Sequence, residues 1–265
     1  MTALGCIGHR STAALPLLHR RLPTAGAFAL AALAFAGPIE AQRAGDGFLF
    51  RRPSGSLVLR GGFDQAIAGG DLFSFVTEQL TLRRRDFSAA ALGAELAVRL
   101  APRLDLVLGA SFAGLRKRSE FRDWVDQNDL PIEQTTTLER VPLTGSLRLY
   151  VAPRGRSIGQ LAWVPASFAP FVGAGAGALW YRFRQQGDFV DFGDNHVFRD
   201  DFDSSGWTVA AHAFAGMDIS LGPRFFLTGE GRYTWARAPL GRDFSGFGRL
   251  DLSGLSVTAG VGIRN

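Results

Sequence analysis

Apolar and polar residues alternate along residues 206–221, which read GWTVAAHAFAGMDISL. The odd-numbered positions, from Trp207 to Leu221, are apolar, whereas the even-numbered positions include His212 and Asp218. Successive side chains of a β-strand point to opposite faces, so a period of two is typical of a strand with one apolar and one polar face. The segment therefore predicts a half-exposed β-strand.

The same alternation recurs along the chain and predicts eight strands, at 56–63, 88–100, 104–115, 137–150, 169–184, 206–221, 225–235 and 252–263. Short turns containing proline alternate with long polar connections; the turns lie at 101–103 and 222–224, and the connections at 64–87, 116–136, 187–205 and 237–251. Short turns on one side and long loops on the other are typical of outer-membrane barrels. We therefore predict an all-β fold, an eight-stranded antiparallel up-and-down transmembrane β-barrel.

Three details of this prediction are specific enough to be checked. The connection 151–168 is long where a short turn is expected, and its Trp163 and prolines predict an ordered excursion. Pro142 lies within the fourth strand and predicts a bulge, because proline cannot donate to the ladder. In the fifth strand we expect Tyr181 and Phe183 to face the lipid.

Alternation defines two faces of a strand but does not tell which face is inside. A soluble eight-stranded barrel of the lipocalin kind would put the apolar face inside and the polar face in water. Three features favour the membrane: a secretory signal followed by a chain without cysteine, arginine and glutamate recurring on the polar faces, and aromatic residues near the strand ends.

The N-terminal segment has the pattern of a secretory signal peptide. An arginine pair at 20–21 precedes an apolar run at 25–36, and Ala41 supplies a small residue for cleavage. The apolar run is far shorter than the ~20 residues that a spanning helix needs. We predict a signal peptide over 1–41 and an outer-membrane β-barrel domain over 42–265.

Composition and motifs argue against several classes of function. The single cysteine, Cys6, lies in the predicted signal, which excludes disulfides and thiolate metal sites in the mature chain. Arginines are scattered singly, whereas nucleic-acid binding needs a concentrated basic surface. His196 lies near Asp194 and Ser204 in sequence, but no catalytic motif surrounds these residues. We predict no enzyme, no cofactor, no metal and no nucleic-acid partner.

Four segments resemble small bacterial outer-membrane β-barrel proteins, the group of outer-membrane protein A and its W and X relatives: GSLVLRGGF, AVRLAPRLDLVLGASF, FAPFVGAGAGALWY and LSVTAGVGIRN. The resemblance implies a bacterial outer-membrane location, with membrane lipid, lipopolysaccharide and the barrel assembly machinery as partners. The chain departs from the family at its end, where Ile263 to Asn265 lack the frequent terminal aromatic residue. With nothing after the last strand, we expect no peptidoglycan-binding domain.

The inward faces of the predicted strands carry charges that we expect to form one network: Arg60, Glu95, Arg99, Arg140, Arg148, Glu230 and Arg232. Asp105 and Asp218 are predicted to face inward as well. An eight-stranded barrel is just wide enough for its side chains, and an unpaired buried charge is costly. These residues therefore predict a salt-bridge plug, and the alternative is a narrow or gated path for small solutes.

Phenylalanines recur in two of the predicted loops, at Phe73, Phe75, Phe189, Phe192, Phe198 and Phe202. We predict that they form a hydrophobic platform at the extracellular mouth, which packs the loops together or contacts a ligand. The acidic residues between them match no calcium-loop spacing. The predicted role is structural or surface-interacting, and the alternative is a narrow channel or carrier for small or hydrophobic solutes.

Overall fold

A computed structural model of the protein describes residues 47–159, 161–193 and 196–265. The predicted signal peptide and Asp194 lie outside the described residues. The strands of the described part are β1 (Gly55–Ala66), β2 (Ala89–Ala101), β3 (Leu104–Val125), β4 (Pro131–Tyr150), β5 (Gly155–Ile158), β6 (Ala162–Pro165), β7 (Phe168–Asp191), β8 (His196–Ser220), β9 (Phe225–Ala238), β10 (Leu250–Asp251) and β11 (Gly254–Arg264).

Eight of these strands form one closed antiparallel ring. The order around the ring is β1, β2, β3, β4, β7, β8, β9 and β11, and β11 pairs back onto β1. Closure pairs the backbone groups that an open sheet would leave at its edges, which a spanning structure requires. The predicted eight-stranded antiparallel barrel is confirmed.

Strands β5 and β6 lie outside the ring, in the connection between β4 and β7, and they pair with each other. Gly155 of β5 lies opposite Pro165 of β6, and Trp163 also pairs with Leu49 through an isolated bridge. The predicted ordered excursion over 151–168 is therefore a short hairpin held against the segment that precedes β1.

Four strands are much longer than predicted: β3, β4, β7 and β8 contain 22, 20, 24 and 25 residues. A membrane-spanning strand takes about 9–11 residues, so these four continue well beyond a bilayer. The predicted loops 116–136 and 187–205 are therefore mostly strand. The prediction was wrong there because the extensions have no apolar outward face to reveal the period.

The predicted bulge at Pro142 is absent from the described β-ladders. Pro142 pairs with Leu179 of β7 without a register shift, and the register between β3 and β4 is the same on either side of it. The ladder to β3 is only interrupted, with no pairs at Val141 and Pro142. Proline, which lacks an N–H, thus interrupts the pairing of β4 with β3, but neither strand contains an extra residue there.

The connection between β1 and β2 contains the longest helix of the described residues, α1 (Asp71–Gln79). Leu72, Phe73 and Val76 are buried on one face, the spacing expected of an amphipathic helix. Gly70 precedes the helix with φ 89°, a conformation that glycine adopts without Cβ strain. Nowhere in the described chain is a helix long and apolar enough to cross a membrane.

The connections that follow β1, β3, β7 and β9 all lie at one end of the ring, which we call the loop end, and the opposite end is the turn end. Short 3₁₀ segments at Arg84–Phe87 and Arg242–Phe244 accompany α1 at the loop end. The largest apolar cluster includes α1 and these segments, so the main apolar core belongs to the loop end.

Candidate functional site

Five charged side chains form a layer across the middle of the lumen, which we call the central charged layer. Glu95 of β2 binds three arginines, with N···O distances of 2.6 Å to Arg60, 2.6 Å to Arg148 and 2.8 Å to Arg232. Glu230 of β9 binds Arg60 and Arg232 at 2.8 Å each. The layer thus holds three cations and two anions, linked through shared oxygens.

Two aromatic rings support the cations of this layer. The guanidinium of Arg148 lies 4.4 Å from the ring centre of Phe171, and that of Arg232 lies 5.0 Å from Phe214. Cation–π contacts of this kind are worth up to about 2 kcal/mol when they are desolvated. Sequence reasoning missed both rings, although Phe214 occupies an inward position of the 206–221 alternation and could have been found there.

A second polar layer lies at the turn end. Tyr150 donates a hydrogen bond to Asp218 at 2.9 Å, and Arg154 donates to Asp105 at 2.6 Å. Arg154 also lies 4.3 Å above the ring of Tyr150. Because Arg154 belongs to the long β4–β7 connection, that excursion supplies the cation that a buried Asp105 requires.

Two of the seven residues predicted for one network lie elsewhere. Arg99 is the register partner of Asp105 near the turn end, outside the central charged layer. Arg140 binds Asp64 at 2.9 Å on the loop-end side of that layer. The structure therefore brings five of the seven together and places the other two in neighbouring layers, because strand register sets the height of each side chain in the lumen.

The loop end of the lumen is filled by an aromatic core. The ring of Phe73 from α1 lies 4.8 Å from Phe87 and 5.9 Å from Phe183. Phe183 in turn lies 5.4 Å from Phe244, and Phe202 lies 6.1 Å from the same ring. Helix α1 is thereby packed against the inward faces of the strands at the loop end.

Of the two roles predicted for the hydrophobic platform, the structure shows the packing of the loops, but it does not show the exposed apolar surface that we expected. Phe73 is fully buried and Phe189 nearly so, whereas Phe75 and Phe202 pack partly buried against the same core. Phe198 stacks on Phe189 with ring centres 6.0 Å apart. Among these six rings only Phe192 is largely exposed, at 47%. The loop phenylalanines mainly hold the loops together, because the interior of the upper strands offers them an apolar environment.

The predicted facing of β7 above the membrane is also wrong. Tyr181 and Phe183 point inward and are buried, while Arg182 and Arg184 point outward. Arg182 binds Asp203 of β8 at 2.7 Å. At this height the outside is water and the inside is packed protein, so the apolar and polar faces exchange relative to the membrane segment.

A small cavity of about 20 Å³ lies in the described lumen beside Asp64 and Arg140, with Leu179 and Ser256 among its walls. That volume holds about one water molecule. A neighbouring pair, Ser146 and His212, is joined by a 2.7 Å hydrogen bond.

The outward wall of the ring is apolar. Four large apolar side chains of this wall have 65%, 69%, 78% and 61% of their surfaces exposed: Leu59, Leu92, Val209 and Val257. All four are apolar positions of the alternation that predicted the strands. Exposing so continuous a wall to water costs about 25 cal/mol for each Å². An apolar outward band around charged interior side chains is the arrangement of outer-membrane barrels. The described chain thus has the fold of a small transmembrane β-barrel.

Searches of family models and of curated proteins find no match to this chain. Among solved structures, the outer membrane protein OprG from Pseudomonas aeruginosa is 15% identical, with a TM-score of 0.43 over 82% of this chain and 99% of that chain. Neisserial surface protein A is 12% identical, with a TM-score of 0.41 over 84% of this chain and 100% of that chain. The N-terminal β-barrel domain of OprF from Pseudomonas aeruginosa is 12% identical, with a TM-score of 0.37 over 80% and 98%.

The lumen of this barrel rules out the lipocalin-like arrangement. A carrier of that kind would line its interior with apolar side chains, whereas Arg148, Glu95 and Glu230 lie buried in the middle of the lumen. The alternative in which the polar faces contact water is therefore wrong for the membrane segment.

The residue types that could suggest catalysis are far apart. His196 begins β8 and Ser204 lies eight residues along the same strand, which at about 3.3 Å per residue separates them by roughly 26 Å. Ser204 is buried and donates or accepts a hydrogen bond with Tyr181 at 3.3 Å. These two residues therefore cannot act as a nucleophile and its base.

Proposed function

We propose that this protein is a closed barrel of the bacterial outer membrane with a structural or surface-interacting role. The observation that carries the proposal is the central charged layer, in which Glu95 binds arginines from three different strands across the lumen. Such a layer links strands across the ring, and it also fills the cross-section of the lumen. A channel would need that section to be open.

The energetics of the layer favour closure. An ion that crosses it must separate buried charges, and leaving a buried charge unpaired costs several kcal/mol. Each 1.4 kcal/mol lowers the population of an open state tenfold. The aromatic core around Phe73 then blocks the loop end independently. Two barriers of different chemistry therefore oppose passage.

The surface-interacting part of the role is assigned to the loop end. In outer-membrane barrels the long connections face the exterior and the short turns face the periplasm. The tips of β3, β4 and the β7–β8 hairpin carry exposed apolar side chains, including Val125, Leu130 and Phe192. Phe192 packs edge-to-face on Trp124 at 5.9 Å, so the tips form one contiguous surface. We assign partner contact to these tips.

Conductance across a planar lipid bilayer tests the closed lumen. We expect no discrete current steps from the mature protein, with insertion verified by the shift between cold and boiled samples on an SDS gel. Replacing residues 71–86 with a short Gly/Ser linker removes α1, and we expect this variant to stay silent because the central charged layer remains. The same linker combined with Glu95→Ala removes both barriers, and we expect brief current steps.

Discrete steps from the unaltered protein would contradict the proposal and establish the narrow channel in its place. Current steps from the variant that carries the linker without Glu95→Ala would show that the aromatic core, and not the charged layer, closes the lumen.

A further inference from the structure

A groove of about 390 Å³ lies on the outside of the barrel, across β3, β4 and β7. Phe112, Gly114 and Arg116 line it from β3, Thr137 from β4, and Arg184 from β7. All five are outward positions of their strands, so the groove lies on the outer wall of the barrel. We call it the outer-wall groove.

Strand register explains why the wall is indented there. Gly114 of β3 lies opposite Glu139 of β4, and the next outward row places Thr137 between Arg116 and Arg184. The glycine leaves the floor of the groove without a side chain. The ring of Phe112 leans over that position, with an atom 2.7 Å from where a Cβ would stand.

The groove begins where the apolar band ends. On β3 the outward side chains are apolar up to Phe112, and the next outward side chain is that of Arg116. On β7 the outward Trp180 is followed at the next outward position by Arg182. Aromatic residues at the end of an apolar band lie at the level of the lipid headgroups. The groove therefore lies at headgroup height on the loop-end side of the membrane.

The arginines of the groove have donors to spare. Arg182 donates to Asp203 through Nε alone, which leaves its two terminal amino groups without a described partner. None of the ion pairs among the described residues includes Arg116, which is exposed. Asp201 binds Arg184 and holds its guanidinium at the rim of the groove. A guanidinium presents a planar set of donors that suits phosphate oxygens.

We propose that the outer-wall groove binds a lipid with a phosphomonoester headgroup, with the phosphate at Arg116 and Arg182 and an acyl chain along Phe112. Thr137 lies between Arg116 and Arg184 in the register and offers its hydroxyl as a further donor. Glu139 opposes the anion from the same groove and limits its affinity. The proposal rests on the proposed membrane location but not on the closed lumen.

The test is native mass spectrometry of the full mature protein in detergent, titrated with phosphatidic acid. This lipid carries a phosphomonoester, phosphatidylglycerol is an anionic diester, and phosphatidylcholine is zwitterionic. We expect retention of phosphatidic acid above the other two. Arg116→Ala should weaken that retention about tenfold, because it removes one of the two cations that bind the phosphate. Glu139→Gln should strengthen it severalfold, because it removes the like charge.

The matched control is Arg237→Ala. Arg237 is an exposed outward arginine of β9, two residues beyond the outward Trp235 toward the loop end. In the ring, β9 is four strands away from β3. We expect this variant to retain phosphatidic acid as the unaltered protein does. Equal losses from Arg116→Ala and Arg237→Ala, or equal retention of phosphatidylglycerol, would overturn the site and leave only general surface charge.

Two further results separate the possible causes of a failure. Full competition by inorganic phosphate would overturn lipid binding and identify an anion site without a contribution from Phe112. A cold–boiled gel shift of each variant reports whether the barrel is folded in detergent. Loss of the gel shift in the unaltered protein would contradict the proposed function. Retention of the gel shift with no lipid bound would contradict only the proposed lipid binding at the outer-wall groove.

Discussion

Glu95→Ala is expected to destabilise the barrel by about 3–5 kcal/mol, the usual cost of removing one partner from a buried ion pair. The substitution leaves Arg60, Arg148 and Arg232 facing a single remaining carboxylate, that of Glu230. Urea unfolding of the protein in detergent micelles, followed by tryptophan fluorescence, measures the effect. The free energy of unfolding of Glu95→Gln should lie between those of Glu95→Ala and the unaltered protein, because the amide still accepts one hydrogen bond.

The matched control for this prediction is Glu133→Gln. Glu133 is exposed on β4 beyond the membrane segment, and a surface substitution usually changes stability by no more than about 0.5 kcal/mol. If Glu95→Ala unfolded at the same urea concentration as Glu133→Gln, the charged layer would not brace the ring.

Phe73→Ala is expected to release α1 while leaving the ring intact. Truncating a fully buried phenylalanine costs about 3–5 kcal/mol, and Phe73 contacts both Phe87 and Phe183. The exposed arginines at 83–85 lie between the buried Leu82 and Phe87, so trypsin can reach an extended segment there only after α1 loosens. We expect cleavage at 83–85 to accelerate about a hundredfold, since 3 kcal/mol raises the open population by about that factor.

Phe192→Ala is the control for the release of α1, because Phe192 is a loop phenylalanine that is already 47% exposed. We expect its cleavage rate to stay close to that of the unaltered protein. The cold–boiled gel shift should be retained in both variants. An unchanged cleavage rate in Phe73→Ala would mean that the helix is held by its other contacts, such as the bridge from Leu80 to Phe121.

The membrane segment of the fold could be predicted from local pattern alone. Leu57, Leu59 and Phe63 follow a period of two, and Arg60 lies between them on the opposite face. A period of two needs no knowledge of distant residues, because it reflects the geometry of one strand. The number of strands and the apolar and polar face of each strand follow from that pattern. Their facing within the bilayer needed three further features, namely the secretory signal before a chain without cysteine, the charges on the polar faces and the aromatic strand ends.

The parts that could not be predicted depend on contacts between distant segments. Arg232 and Glu95 are 137 residues apart in sequence, and they meet because closure of the ring brings β9 across from β2. The same registers place Arg99 and Arg140 in other layers. Register is set by pairing along every strand at once, so no local window contains it.

The sequence by itself determined that this chain forms a barrel with an apolar wall and charged residues inside. Alternation divides each strand into two faces, and the charges that recur on the polar faces, with the aromatic residues near the strand ends, favour the apolar face outward. Only the tertiary structure decided what happens beyond the bilayer. Tyr181 and Phe183 turn inward there because α1 fills the interior and water replaces lipid outside. Along a single strand, the apolar face therefore points outward where lipid surrounds the barrel and inward where water surrounds it.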